Sequence, residues 1–259
     1  VIVTHGTDTM LYSAAAVSFM LETPAPVIFV GAQRSADRPS SDNAMNAICS
    51  AKAGVSDLGE VVVCMHATSD DVNCALHRAT RVRKNHTSRR DAFQSIGRVP
   101  VGIVSYPDGN VTLGKDAVLR GTHELRLFDR LEPHCGLLQY YPGMNPAVFD
   151  AFSGYAGLII AGTGLGHVGT DCIEKIAALT AAGTLVMMTS QCQAGEVCDR
   201  VYETGRDLLN AGVVEGGNML TEVALVKLMW GRGDRTRREE AVLTRLSTLR
   251  AERDADVVG

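Results

Sequence analysis

The 259 residues contain no Cys-x-x-Cys pair, although seven cysteines are scattered at positions 49, 64, 74, 135, 172, 192 and 198. An odd number without paired spacing argues against a disulfide framework and against a zinc site, and suits a reducing compartment. The chain is accordingly expected in the cytoplasm. Long apolar runs are lacking as well: the longest helical apolar stretch, Met10 to Leu21, is too short to span a bilayer, and no charged-then-apolar leader precedes it within these residues. Basic residues are not in excess. With 25 Lys and Arg against 29 Asp and Glu, the net charge of −4 excludes a surface built as a whole to track nucleic acid. Fixed-period repeats, low-complexity tracts and heptad runs are absent. So is an initiating Met; the chain opens on Val1-Ile2-Val3, as though inside a strand.

What is present is a globular composition, 46% hydrophobic and 21% charged, long enough for one large core or two smaller ones. Short β-branched runs alternate with helical stretches. Val1 to Val3, Val27 to Val30 and Val61 to Val63 read as strands, with helices over Met10 to Leu21 and Asn43 to Ala53 between them. Such alternation implies parallel strands joined by right-handed crossovers, an α/β doubly wound sheet. Leu76 to Arg83 reads as irregular or extended chain. Val101 to Ser105 and Val111 to Leu113 bracket a Pro107-Asp108-Gly109-Asn110 turn, which marks a hairpin.

From about Leu131 the pattern begins again: a strand over Gly136 to Tyr140, a turn and helix in "PGMNPAVFDAF", a strand in "GLIIAG", a helix over Asp171 to Ala182 and a strand in "TLVMMTS". The restart predicts two domains, residues 1–130 and a smaller α/β domain of residues 131–259, with the stretch Phe128 to Pro133 as linker. The charge-dense stretch after Trp230 is expected to be a surface helix with a frayed end.

In an open parallel sheet, ligands gather at the carboxyl ends of strands. Thr7 and Asp8 stand at such an end. Any of Thr7, Asp8 and Thr9 would also serve as an ordinary helix cap, but the string His5-Gly6-Thr7-Asp8-Thr9-Met10 is far more specific than a cap requires.

That string resembles the second threonine motif of the type I and II L-asparaginases and their amidotransferase relatives, and the resemblance extends along nearly the whole chain. "PVIFVGAQR" with "SSDNAMN" is similar to the family's second strand and the loop and helix after it. Lys84 in "RKNHTSRRDAFQS" falls where the family carries its essential lysine, and "GLIIAGTGLGH" is similar to a strand and loop of its small domain. "RKNHTSRRDAF", "GTGLGH" and "EVALVKLMW" most resemble the branch formed by the D subunits of archaeal glutamyl-tRNA(Gln) amidotransferases. The resemblance implies an asparaginase-like fold and an amidohydrolase that releases ammonia from L-glutamine, or from L-asparagine in a free-standing relative. It implies a synthetase-like partner, the E subunit, that amidates Glu-tRNA(Gln) and itself holds ATP and Mg²⁺. It further implies no cofactor or metal in this chain, and a homodimer within a heterotetramer.

Amide hydrolysis needs a nucleophile, a base and oxyanion donors. By resemblance, Thr7, Asp8 and Lys84 are the catalytic residues: Thr7 the second of two facing threonines, Lys84 its activating amine, and Asp8 a carboxylate that meets the lysine or the substrate's α-amino group. An amine acts as a base only where burial or a nearby cation favours its neutral form, and a carboxylate pulls the other way, so the division of labour is open. The family's first motif, Thr-Gly-Gly-Thr-Ile, does not occur in these residues. The expectation is therefore an N-terminally truncated span lacking the family's first strand and helix, inactive by itself; a non-catalytic scaffold subunit is the rival from another class.

Three other features invite a function. "GLGHVG" fits the G-x-G-x-x-G dinucleotide pattern, but the next strand, "TLVMMTSQ", ends without the acidic residue a ribose needs. Its glycines are better read as a tight loop; a lone histidine there is often structural, but the resemblance aligns His167 with a family polar position and implies that it binds substrate in an active site shared with a neighbouring subunit. The cluster Arg81, Arg83, Lys84, His86, Arg89 and Arg90 could attract tRNA phosphates, yet is better read as a solvated loop from which only Lys84 points inward. Gln33, at another strand end, is a substrate-binding candidate whose direction the sequence leaves open, and Asp42 reads as the cap of the following helix.

Overall fold

The computed structural model describes residues 1–198 and 203–234, in two compact units: Val1–Asp129, and the described residues from Arg130 onward. The first unit runs β1 (Ile2–Thr4), α1 (Met10–Met20), β2 (Leu21–Glu22), β3 (Val27–Val30), α2 (Asn43–Gly54), β4 (Val61–His66), β5 (Asn73–Arg78), β6 (Val82–Lys84), β7 (Phe93–Ser95), β8 (Gly102–Ser105), β9 (Val111–Leu113) and β10 (Arg126–Leu127). Its main sheet has the order β1-β3-β4-β5-β8-β9.

Alternation along the strands divides the core. Val27, Phe29, Val61, Val63 and Met65 face α1, where Met10, Leu11 and Ala14 meet them; Ile28, Val62 and Cys64 face α2 through Met45, Cys49 and Ala53. Side chains of successive strand residues point to opposite faces, so one helix covers each side and the sheet is doubly wound.

The sheet is not parallel throughout. β1, β3 and β4 are parallel, but β5 pairs antiparallel with β4, β8 with β5 and β9 with β8. The hairpin around Pro107 to Asn110 is as expected. The segment expected to be irregular or extended, Leu76 to Arg83, is extended where it ends strand β5 and where it enters β6. Strand β5 is covered on both faces, so it shows no apolar–polar alternation by which it could be recognised. From β5, the β6–β7 hairpin packs Val82 and Phe93 into the cluster containing Met10, Val63 and Met65. That carries the end of β6, and Lys84 with it, along the face that α1 covers.

The second unit runs β11 (Cys135–Gln139), a 3₁₀ helix (Pro146–Phe152), β12 (Gly157–Gly162), α3 (Ile173–Ala181), β13 (Leu185–Ser190), α4 (Glu203–Asn210), β14 (Val214–Glu215) and α5 (Thr221–Arg232). Its four strands, ordered β11-β12-β13-β14, are all parallel. Leu158, Ile160, Val186 and Met188 bury against Phe149 and α3, while Ile159 and Met187 bury against Ala224 and Leu228 of α5. The charged stretch expected as a surface helix lies mostly outside the described residues; α5 itself runs through Arg232. Among the described residues, no helix is long and apolar enough to cross a membrane.

Candidate active site

Because β1, β3 and β4 run in the same direction, their carboxyl ends lie along one edge of the first unit's sheet. The chain leaving β1 stays on that edge: the His5 amide donates to Val30 O at 2.9 Å, extending the ladder before the turn at Gly6. Gly31, the residue after β3, makes the approach possible. A Cβ at Gly31 would lie 2.5 Å from the His5 carbonyl oxygen, 2.8 Å from Met10 Cε and 3.2 Å from Thr7 Cγ2. Only a glycine lets the turn that carries Thr7 sit this close to the end of β3.

Three predicted residues meet here. Lys84 Nζ donates to Thr7 Oγ1 at 2.9 Å and to Asp8 Oδ1 at 2.6 Å, across 77 and 76 positions of chain. The lysine side chain is 12% exposed and the aspartate 92%. The lysine's hydrogen bond, and then its charge, hold the Asp8 carboxyl below its ordinary value of 3.8. Neither Thr7 nor Asp8 is occupied as a helix cap: the N-cap of α1 is Thr9, and it makes no side-chain capping bond.

Gln33 joins the cluster. Thr7 Oγ1 donates to Gln33 Oε1 at 3.3 Å, so the threonine hydroxyl receives from the lysine and gives to the glutamine. Gln33 Nε2 is buried and has no partner among the described residues. Asp42 behaves differently from the expected cap: it makes no capping bond, and its fully buried carboxylate accepts from the backbone amides of Gln33 at 2.9 Å and Arg34 at 3.0 Å. It shapes the loop after β3 rather than the start of α2. Beside Gln33 opens a cleft of about 700 Å³, lined also by Arg34, Arg38 and Ser88.

The basic cluster is only partly solvated. Arg81 is buried, at 5% exposure, and Arg90 donates to Asp71 Oδ1 at 2.6 Å, while Arg89 forms a two-pronged pair with Asp91 at 2.8 and 2.6 Å. Lys84 is thus not the sole inward member: Arg81 is buried, and Arg89 and Arg90 are tied to acids. His167 belongs to the second unit. There Gly164 and Gly166 adopt φ of 55° and 104°, and a Cβ at Gly162 would meet Gly166 C and His167 N at 2.8 Å. The glycines therefore make a tight turn, closed by reciprocal Thr163 and His167 backbone bonds of 2.9 Å. Among the described residues, no group of three or more His, Cys, Asp or Glu could hold a metal ion.

The Asparaginase, N-terminal family model matches residues 1–118, and the Glutaminase/Asparaginase C-terminal domain model matches residues 134–242. The thermostable L-asparaginase from Thermococcus kodakarensis superposes with a TM-score of 0.81 at 30% identity, over 92% of this chain and 71% of that one. The chain belongs to the asparaginase/glutaminase family. Among curated relatives in the family, the glutamyl-tRNA(Gln) amidotransferase D subunit of Methanosarcina mazei is 55% identical over 93% of this chain and 57% of its own length. The corresponding D subunit of Haloquadratum walsbyi is 58% identical over 89% of this chain and 53% of its own length. The chain thus spans a little over half the length of these relatives.

The cluster supplies a hydroxyl held between a donor and an acceptor, an ammonium and a carboxylate. Beside it stand further polar residues. Asn46 closes the string "SSDNAMN" without being distinguished within it, His66 ends the apolar run "VVVCMH", and Asp71 sits in a polar loop; no spacing marks the three as a group.

Proposed function

We propose that this chain is the glutaminase subunit of a tRNA-dependent amidotransferase. It hydrolyses L-glutamine to glutamate and ammonia, and a synthetase-like partner, the E subunit, uses the ammonia to convert Glu-tRNA(Gln) into Gln-tRNA(Gln). The observation that carries the reading is the pair of bonds from Lys84 Nζ to Thr7 and Asp8, at 2.9 and 2.6 Å. The amidotransferase relatives, 55 and 58% identical to this chain, support the choice of branch.

Thr7 is the hydroxyl governed by Lys84. As arranged, the ammonium donates to it; to take the Thr7 proton, Lys84 must first release one of its own, and Asp8 Oδ1 already faces such a proton. Gln33 binds substrate: its unpartnered Nε2 is a buried donor beside Thr7 that a substrate oxygen would satisfy, offsetting about 1–3 kcal/mol of desolvation. His167 completes substrate binding in an active site shared between protomers of a homodimer within a heterotetramer. The enzyme works in the cytoplasm. ATP and Mg²⁺ act at the partner subunit, and this chain needs no cofactor. The attack itself is assigned to a Thr-Gly-Gly-Thr-Ile motif that these residues do not include, so this span alone is inactive.

The test is ammonia release by the full-length gene product, with and without its partner. Lys84→Met should lower glutamine turnover by about a thousandfold while leaving the circular dichroism spectrum unchanged; undiminished turnover removes Lys84 from the mechanism. The likeness to an L-asparaginase at a TM-score of 0.81 favours a second reading, a free-standing asparaginase. Rapid asparagine turnover without any partner would select it. A folded wild-type protein that turns over neither amide would be a scaffold.

A further inference from the structure

A line of polar contacts runs behind the cluster through an otherwise apolar core. Asn46 of α2 is wholly buried, and its Nδ2 donates to Gly31 O and to Asp42 Oδ2, each at 3.0 Å. Both are acceptors, so the orientation of the amide is settled and Oδ1 points the other way. There it accepts from His66 Nδ1 at 2.6 Å and from Cys74 Sγ at 3.4 Å. His66, the last residue of β4, is also fully buried, and its Nε2 donates to Asp71 Oδ1 at 3.1 Å. Both ring nitrogens thus face oxygen atoms, one on Asn46 and one on Asp71.

Asp71 receives in addition from Arg90 Nη1 at 2.6 Å, and Arg90 Nη2 donates to Ser69 O. The bond from His66 is the largest cause that holds the Asp71 carboxyl low, with Arg90 adding to it. Arg90 lies in the turn of the β6–β7 hairpin, and Lys84 is the last residue of β6. At the other end, Asp42 accepts from the Gln33 amide. With the contacts from Thr7 to Gln33 and from Lys84 to Thr7, the line closes into a ring.

Such a chain is a poor device for stability, since apolar packing of the same volume does as well without the desolvation cost. What it does is tie two separate loops to one buried point. We infer that Asn46 and His66 are positioning residues: they join the strand end that carries Gln33 to the hairpin that carries Lys84, and through Asp71 and Arg90 they set where the lysine meets Thr7. The inference rests on the assignment of Thr7 and Lys84 made above. Misplacing a reacting group by about 1 Å can cost up to about a hundredfold in rate. The ring confines that error at both ends.

The experiment uses the full-length gene product with its partner and measures kcat, KM and melting temperature. Arg90→Met cuts the outer leg without touching the buried core. It should lower kcat about tenfold with KM within about twofold, and Arg90→Lys, which keeps a cation for Asp71, should recover part of the loss. Arg89→Met, in the same turn but outside the ring, should leave kcat unchanged. His66→Gln should lower kcat as well, and combining it with Arg90→Met should add little, because both sever one line. Wild-type kcat in Arg90→Met, a loss of kcat in Arg89→Met equal to that in Arg90→Met, or additive effects in the double variant would overturn the inference. Lys84→Met measured in parallel separates the two failures: if it stays active, the functional reading falls; if it is dead while Arg90→Met is normal, only the positioning role falls.

Discussion

The two units build their sheets by different rules, and the cluster of Thr7, Asp8 and Lys84 sits where the rule changes. In the second unit every neighbouring strand is parallel, so each return of the chain is a helical crossover on one face or the other. In the first unit β1, β3 and β4 follow the same pattern, and then β5 turns back antiparallel beside β4. That reversal frees the next segment from the sheet. Instead of another crossover, the chain forms the β6–β7 hairpin, whose Val82 and Phe93 are buried with Met10 of α1. Lys84 reaches Thr7 because the hairpin is anchored by its apolar residues while its end stays polar. A doubly wound sheet alone offers loops at strand ends; the antiparallel return adds a second arm that can close on one of them.

The comparison can be broken most severely at the foot of β5. Arg78, 6% exposed, donates to both oxygens of Glu60 at 2.7 and 3.0 Å and to the Asp116 carbonyl at 2.8 Å. Burial disfavours its charge, yet Glu60 and Asp116 outweigh that and hold its pKa above the ordinary arginine value. Arg78→Met leaves Glu60 without its buried partner and should cost about 3–5 kcal/mol. Hydrogen exchange should accelerate in β4 and β5 and stay unchanged in β12 and β13; a uniform increase would show that the units do not differ in this way.

Acid provides a milder probe of the same region. His77 of β5 is 2% exposed, bonded through Nδ1 to Ser95 Oγ at 2.8 Å, and burial pushes its pKa down from 6.5 to about 4. Between those values the unfolded chain binds a proton that the folded chain does not. Stability from this group is therefore complete above pH 6.5 and is lost as the pH falls toward 4, by roughly 3 kcal/mol in all. Denaturant melts of wild type and His77→Gln across that interval should converge as the pH drops; parallel curves would mean the histidine titrates normally. The smallest effect is local. Lys84→Met should let the Asp8 carboxyl rise toward 3.8, followed by carboxylate NMR, and no movement would mean that the lysine does not govern it.

Much of this arrangement could be read without the fold. Strands β1, β3, β4, β8, β9, β11, β12 and β13 and helices α1, α2 and α3 were legible because apolar residues recur at helical or strand spacing, and the string from His5 to Met10 marked the end of β1. Lys84 was legible only through its likeness to a family motif. Strand β5 was legible only in part, as irregular or extended chain from Leu76, since a strand covered on both faces carries no alternation. Asp42 looked like a cap because capping residues and buried loop anchors are the same residue types. Nothing local indicated that Asn46, His66 and Asp71 stand in line.

By itself the sequence determined the layered α/β character, the restart at the second unit, and a hydroxyl and carboxylate at the end of β1, all of which depend on neighbours within a few residues. Only the tertiary structure decided that β5 turns back, that Gln33 faces Thr7, and that Lys84 closes on a hydroxyl 77 positions away. The reason is physical: periodicity reports which face of an element is buried, whereas strand direction and the meeting of side chains depend on what packs against that face.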